Sequence, residues 1–322
     1  MRIIIHGTGA VGGILAAALA RSGTEVVAIA RGRMLEAIQS RGIRLRSPEV
    51  DVRVPVPAVA APAEIDFRPD DAILLCMKTQ DTLPALEQLR AAGVTDQPIF
   101  CVQNGVDNER QALRLFPNVH GVTVMMPATY LVPGEVITYA APRFGMFDIG
   151  RFPAGSDAAD AALAERLVAA NFAAFVKPAV MASKYGKLLL NLGNMSGAAF
   201  GAGGADGALR AALRAEAVAV LAAAGIGWED VGDTDPRRAA HTRTMPVPGA
   251  AGMSNSTLQS LQRGGSLETD YLNGEICLLG RLHGVPTPLN GAMMGLAARM
   301  IGEGLAPGSL SLAETMAELG LG

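Results

Sequence analysis

Cysteine is scarce in this 322-residue chain, which has three, Cys76, Cys101 and Cys277, each inside an apolar run. An odd number so placed excludes a disulfide framework and reads as small buried hydrophobes in a reducing compartment. Histidine is nearly as rare: His6, His120, His241 and His283 show no paired spacing, so no metal site is expected. Charge is sparse, at 18% of residues with a net charge of −3, which argues against a polyanion-binding surface and a nucleic-acid partner. No apolar run reaches about 18 residues. Leu167 to Ser183 is interrupted by Lys177-Pro178, so no membrane span is expected. The expectation is a cytoplasmic protein long enough for two domains, each with its own core.

What is present begins at the N-terminus, Met1-Arg-Ile-Ile-Ile-His-Gly-Thr-Gly-Ala-Val-Gly-Gly13. A short apolar run leads into Gly7-x-Gly9-x-x-Gly12, and Ile14 to Ala20 then read as a helix. That is the strand–turn–helix context of a dinucleotide site. Gly7 permits the tight turn, Gly9 lets backbone N–H groups approach a pyrophosphate, and Gly12 lets the helix pack close to the strand. The turn of Gly7, Thr8, Gly9, Ala10, Val11 and Gly12 is expected to hold the pyrophosphate at the positive end of the helix dipole. The same segment mimics a secretory signal, with Arg2, an apolar stretch Val11 to Leu19, and Ala18-Leu-Ala20 as a cleavage site. His6 and four glycines break that pattern, and Glu25–Ala30 follows as the second strand of a βαβ unit.

The end of that second strand selects the cofactor. NAD-binding units carry an acidic residue roughly 20 positions after the glycines, to bond the ribose 2′-hydroxyl. Here Arg31 stands in that region, Arg33 follows, and no carboxylate is near. A guanidinium suits a 2′-phosphate, so NADP(H) is expected in preference to NAD(H); a merely solvated arginine is the plain alternative.

Strands are expected at Arg2–His6, Glu25–Ala30, Asp71–Met77, Pro98–Gln103 and Val119–Met125, with near-continuous apolar runs that suit a parallel sheet covered on both faces. Gly42–Arg46 and Asp51–Val56 read as an inserted hairpin, and Tyr130–Ala140 with Arg143–Ile149 as a β-meander. After a helix at Ala158–Ala170 and a strand at Ala174–Val176 the pattern becomes helical: Ser183–Met195, Gly207–Ala224, Asn255–Gln262, Leu267–His283 and Leu289–Gly302. Trp228–Pro248 reads as a polar loop. The expected fold class is α/β. A Rossmann-type doubly wound NADP-binding domain spans residues 1–178, and an all-α substrate and catalytic domain spans 179–322.

Lys78 and Asn104-Gly105 each follow a strand, where ligands gather in doubly wound sheets. Lys78 can neutralise cofactor phosphate, and Asn104 can meet nicotinamide ribose or substrate; a solvated lysine and an ordinary Asn-Gly turn are the alternatives. Lys187, Asn191 and Asn194 recur at helical spacing, a polar stripe beside Leu188, Leu189 and Leu192. Asparagine is a poor helix-interior residue, so this stripe reads as a polar pocket unless it is a surface face. Ser266, Glu268 and Asp270 open the next helix, where capping and dipole complementation would explain them fully.

At these residues the chain resembles the ketopantoate reductase (2-dehydropantoate 2-reductase) family over nearly its whole length. The pieces that match are Gly7-x-Gly9-x-x-Gly12, Arg31, Lys78, Asn104-Gly105, Lys187-Leu-x-x-Asn191, Ser256, Glu268-x-Asp270-Tyr-x-Asn273-Gly274, His283-Gly284-Val-Pro286 and Asn290. The resemblance implies that Lys187 is the general acid and that Asn191 orients a 2-keto acid. It further implies that Ser256 binds the carboxylate, that Glu268 binds a substrate hydroxyl or the cofactor ribose, and that Lys78 and Asn104 contact the cofactor. Asn194 is placed with the substrate residues. The chain departs from the family where the second asparagine comes three residues after Asn191 with no proline behind it, and where Met253 stands in place of an asparagine. The reading is therefore NADPH-dependent reduction of a 2-keto acid. The alternatives are the same chemistry on another keto acid or imine, and a non-catalytic NADP(H)-sensing regulator. A homodimer is left open.

Overall fold

Strand β1 (Arg2–His6) is buried along its whole length with isoleucines facing both sides, so it needs cover on both sides. Ile3 and Ile5 pack with Ile14, Leu15 and Leu19 of α1 (Ala10–Arg21), while Ile4 packs with Ile73, Leu75, Leu86 and Leu89 on the opposite side. The chain continues through β2 (Val26–Ile29), α2 (Gly32–Arg41), β3 (Ile43–Arg46), β4 (Asp51–Val54), β5 (Ala58–Val59) and β6 (Asp71–Leu75). Next come α3 (Thr82–Ala91), β7 (Ile99–Cys101), α4 (Asn108–Leu115) and β8 (Val119–Met125). The computed structural model describes residues 1–201, 207–232, 234–250, 252, 255–262 and 264–318.

After β8 follow β9 (Ala128–Thr129), β10 (Glu135–Thr138), β11 (Ala140–Pro142), β12 (Met146–Arg151), α5 (Ala158–Ala169), β13 (Ala173–Val176) and α6 (Val180–Asn191). Eight strands form one sheet in the order β13-β12-β8-β7-β6-β1-β2-β5, parallel throughout except where β12 meets β8. The strand order reverses between β1 and β6, the position at which doubly wound sheets bind ligands. The expected meander over 130–149 does not form as one sheet. β9 and β10 join β3 and β4 in a four-stranded sheet, β12 joins the large sheet, and β11 pairs elsewhere. Charge and packing explain the split. Glu135 accepts from Arg44 at 3.0 Å and from Arg46 at 2.8 Å, and Val136 is fully buried beside α1. A side chain at Gly13 would lie 2.6 Å from a Val136 methyl, so glycine lets this second sheet close over α1.

The rest of the chain comprises α7 (Asn194–Phe200), α8 (Gly207–Ala223), α9 (Pro236–His241), β14 (Thr242–Thr244), α10 (Ser256–Gln262), α11 (Asn273–His283), α12 (Pro288–Gly302) and α13 (Leu312–Glu318). Contacts divide the protein into two units, Met1–Lys184 with Asp230–Met253, and Tyr185–Glu229 with Ser254–Gly322. The expected polar loop at Trp228–Pro248 is thus corrected: it contains α9 and β14, and β14 pairs antiparallel with β11. Arg237 holds it in the first unit by bonding both oxygens of buried Asp148, at 2.6 and 3.2 Å, and by lying over the Phe175 ring.

In the helical unit, α11 packs on α8 and α12, and α7 on α10 and α12. The expected single helix over Ser183–Met195 breaks at Leu192-Gly193 into α6 and α7. The break leaves a carbonyl without a helical partner. Buried Asn273 donates to Leu192 O at 3.1 Å and to Asn290 Oδ1 at 3.0 Å, and Asn290 donates onward to Leu213 O at 3.2 Å and to Glu216 at 2.8 Å. The Glu216 carboxylate also accepts from the Leu289 and Asn290 amides, capping α12. Asn273→Ala removes the donor to that buried carbonyl. It should cost about 1–3 kcal/mol, read as a lower urea midpoint at unchanged m-value; an unchanged midpoint would show the break to be satisfied without Asn273.

Candidate functional site

The turn after β1 is built by glycine. Gly7 has φ of +98°, and a Cβ there would lie 2.8 Å from Met77 N. At Gly12 a Cβ would lie 2.1 Å from Gly7 O, so only glycine lets α1 approach the turn. Gly7 N and the Thr8 hydroxyl both donate to Ile29 O, at 3.2 and 3.1 Å, tying the turn to the end of β2. The Thr8 side chain is buried and engaged in this structural bond, so its hydroxyl serves the turn itself. Gly9 differs: nothing lies within 4 Å of where its Cβ would stand. It precedes α1, whose first turn carries no acidic residue, and Ala10 and Val11 are partly exposed. The positive end of the α1 dipole is therefore uncompensated and opens above Gly9, which fits an anionic pyrophosphate.

Cations flank this opening. Arg31 is exposed with extended backbone at the start of α2, whose first turn also lacks an acid. Lys78 is half-buried just beyond β6, before a single 3-10 turn at Thr79–Asp81. Both follow strands that neighbour β1. His6, the last residue of β1, is buried with its Nδ1 lacking a hydrogen-bond partner. Burial first, and the nearby Arg31 charge second, push its pKa down to about 4, so the imidazole is neutral near pH 7. The residues around the turn thus fit an anionic dinucleotide.

Asn104 lies past the end of β7, half-buried, before Gly105 with φ of +79°. Its loop is held by side chains that sequence reasoning missed. Gln103 Nε2 donates to Thr82 Oγ1 at 2.7 Å, Thr82 donates to Asn108 Oδ1 at 2.8 Å, and Asn108 Nδ2 donates to Asn104 O at 3.1 Å. Lys184 Nζ donates to Cys101 O at 3.3 Å, to Gln103 O at 3.1 Å and to Glu109 Oε1. Burial raises the Glu109 carboxyl pKa, and the Lys184 ammonium opposes that rise. One sequence signal was available, a second lysine three residues before Lys187 in a helix with no other charged residue. Glu109 gave none, because an acid in a first helical turn reads as dipole complementation.

In the second unit, α6 carries half-buried Lys187 and buried Asn191, with Leu188 and Leu189 buried beside them. Asn194 is a correction to the expected stripe. α6 stops at Asn191, Leu192-Gly193 turns the chain, and Asn194 begins α7, so it does not continue the Lys187–Asn191 face. Its carbonyl accepts from Asn255 Nδ2 at 3.2 Å, and Asn255 Oδ1 accepts from Leu258 N at 2.8 Å at the start of α10. Ser256 is the first residue of α10, partly exposed, with its carbonyl accepting from Ser260 Oγ. Ser266 and Glu268 do not open a long helix as expected. Glu268 precedes a 3-10 turn at Thr269–Tyr271 with no side-chain cap, and α11 starts at Asn273 with Glu275 as the acid of its first turn. The α11 dipole therefore does not account for Glu268.

Among the described residues, His120, Asp157 and Asp160 bring ligand-type atoms within 4.8 Å of one another. These atoms are engaged internally: His120 meets Asp160 at 2.7 Å and Asn118 at 3.0 Å, and Asp157 accepts from Arg151 at 2.6 Å while capping α5. No helix among the described residues is long and apolar enough to cross a membrane.

Residues 3–153 match the family model Ketopantoate reductase PanE/ApbA, and residues 180–300 match Ketopantoate reductase PanE/ApbA C terminal. The chain is 31% identical over 330 residues to a 2-dehydropantoate 2-reductase of Mesorhizobium japonicum, covering 93% of this chain and 98% of the relative. A crystal structure of a PanE/ApbA family ketopantoate reductase from Ralstonia eutropha JMP134 is similar at TM-score 0.77 and 29% identity, over 94% of this chain and 99% of that one. A ternary structure of D-mandelate dehydrogenase with NADH and anilino(oxo)acetate shares the fold at TM-score 0.77 and 24% identity, over 94% of this chain and 99% of that one.

The turn's geometry separates two glycines experimentally. Gly9→Ala places its methyl in open space and should leave the melting temperature unchanged, yet obstruct an anion at the α1 N-terminus. Losing one charge-assisted bond there weakens dinucleotide binding by roughly 10- to 150-fold. Gly12→Ala should lower both stability and binding, because its methyl meets the Gly7 carbonyl. Calorimetry and fluorescence titration check both variants; a Gly9→Ala protein that binds dinucleotide normally would remove the turn from the site.

Proposed function

Because the chain belongs to the ketopantoate reductase PanE/ApbA family, we propose that it is an NADPH-dependent reductase of a 2-keto acid, converting 2-dehydropantoate to (R)-pantoate. One observation carries the cofactor reading: the α1 N-terminus opens above Gly9 while exposed Arg31, in place of a carboxylate, ends the β2 connection. In this reading Gly7 to Gly12 hold the pyrophosphate, Arg31 forks onto the 2′-phosphate, and Lys78 and Asn104 contact the cofactor.

When bound, the nicotinamide supplies a hydride to the carbonyl carbon. As that bond forms, the C=O electron pair moves to oxygen, which needs a proton at once. Lys187 donates it from Nζ and is reprotonated from solvent, so no metal is called for. Asn191 orients the keto acid, Ser256 binds its carboxylate, and Glu268 accepts a bond from its hydroxyl or from the cofactor ribose. The failure of the α11 dipole to explain Glu268 supports this last role. The break between Asn191 and Asn194 supports a second reading, the same reduction of a different 2-keto acid. The test is a panel of 2-keto acids, 2-dehydropantoate included, with NADPH oxidation followed by absorbance. NADPH binding with no turnover on any of them would favour the sensing regulator.

Arg31→Ala should weaken NADPH binding by about 10- to 150-fold and leave NADH nearly unchanged. Equal loss for both would return Arg31 to a supporting role. Lys187→Met should lower kcat by about 10²- to 10⁴-fold with little change in NADPH affinity; a variant of near-normal turnover would take Lys187 out of the mechanism.

A further inference from the structure

We propose that Lys184 is the positioning residue for Asn104, acting through the two backbone carbonyls that precede it, an inference that rests on the reductase reading above. Lys184 is 2% exposed and Glu109 is fully buried. An ammonium has three donors, and here they serve Cys101 O, Gln103 O and Glu109. β7 ends at Cys101, and the strand pairing with it covers Ile99 to Cys101. Beyond that point the Val102 amide still reaches Leu75 O at 2.9 Å, and the ammonium holds the carbonyls on either side of Val102. Thr82 and Asn108 fix the loop from its other side, so Asn104 leaves a backbone fastened on both flanks.

The clamp is not built for stability alone. A buried ion pair is commonly replaceable by apolar side chains without loss of stability. Glu109 Oε2 lacks a partner as well, so this carboxylate balances the charge of Lys184 without full satisfaction. What a methionine or leucine cannot reproduce is a donor to two carbonyls.

The experiment compares wild type with the Lys184→Met/Glu109→Leu pair, Asn104→Ala, and the triple variant. Melting temperature, amide hydrogen exchange over residues 101–107, NADPH affinity and kcat on the best keto acid are measured for each. The expected double variant melts near wild type, exchanges those amides at least tenfold faster, and loses about 10- to 100-fold in kcat, the scale of a small misplacement. Asn104→Ala should cost turnover by itself and add little in the double background, because both act on one position. Wild-type exchange or wild-type turnover in the double variant overturns the proposal, as does an Asn104→Ala loss that is the same in both backgrounds. If the double variant does not fold, Lys184→Arg serves. It keeps the charge beside Glu109 but moves the donors, so faster exchange with reduced kcat supports the clamp, and wild-type values for both overturn it. A wild-type protein that reduces no keto acid ends the reductase reading alone; exchange and NADPH affinity then still decide whether Lys184 holds the loop.

Discussion

A side chain at Gly12 would stand 2.1 Å from the Gly7 carbonyl, and one at Gly7 would stand 2.8 Å from Met77 N. These two contacts set how near α1 can come to the ends of β1 and β6. With glycine at both, the helix axis points its amide end at the place where the strand order reverses. Arg31, Lys78 and Asn104 acquire meaning only from that placement, since each leaves the carboxyl end of a strand in the same sheet. The four-stranded sheet depends on the same helix, because it closes over α1 through Val136 at the space that Gly13 leaves empty.

Local signals in the chain were legible, and non-local ones were not. β1 and β8 lie where their apolar runs predict, and the Gly42–Val56 hairpin forms at its Ser47-Pro48 turn. Over residues 130–149 the apolar alternation marked strands correctly but could not say which sheet each would join. That choice belongs to Glu135 and its distant arginines, and to β14, some hundred residues on. In the helical unit the 3.6-residue period ran through Leu192-Gly193 without a visible stop, so Asn194 was read onto a face it does not share. Lys184 and Glu109 were overlooked for a related reason: their partnership spans 75 positions.

In each unit a set of buried polar groups fastens the backbone where regular structure ends. In the first, Lys184, Gln103, Thr82 and Asn108 fasten the loop past β7. In the second, Asn273, Asn290 and Glu216 absorb the break between α6 and α7 and the start of α12. Asn273 and Asn290 carry part of the family resemblance, and their hydrogen bonds give them an architectural reason to be asparagine. Shared motif membership therefore does not make every residue of a motif a ligand contact.

The discontinuity of the first unit has a consequence for how the polypeptide is made. A ribosome releases residues 1–184 well before α9 and β14, with the chain of α7 and α8 emerging in between. Until then β11 presents an open strand edge, and Asp148 has Ser183 and Lys177 beside it but lacks the fork of Arg237. Vectorial folding cannot finish the first unit and add the helices afterwards. Genetic dissection at the apparent junction would yield a half with a missing strand, whereas the excursion to Met253 binds the maturation of one unit to the synthesis of the other.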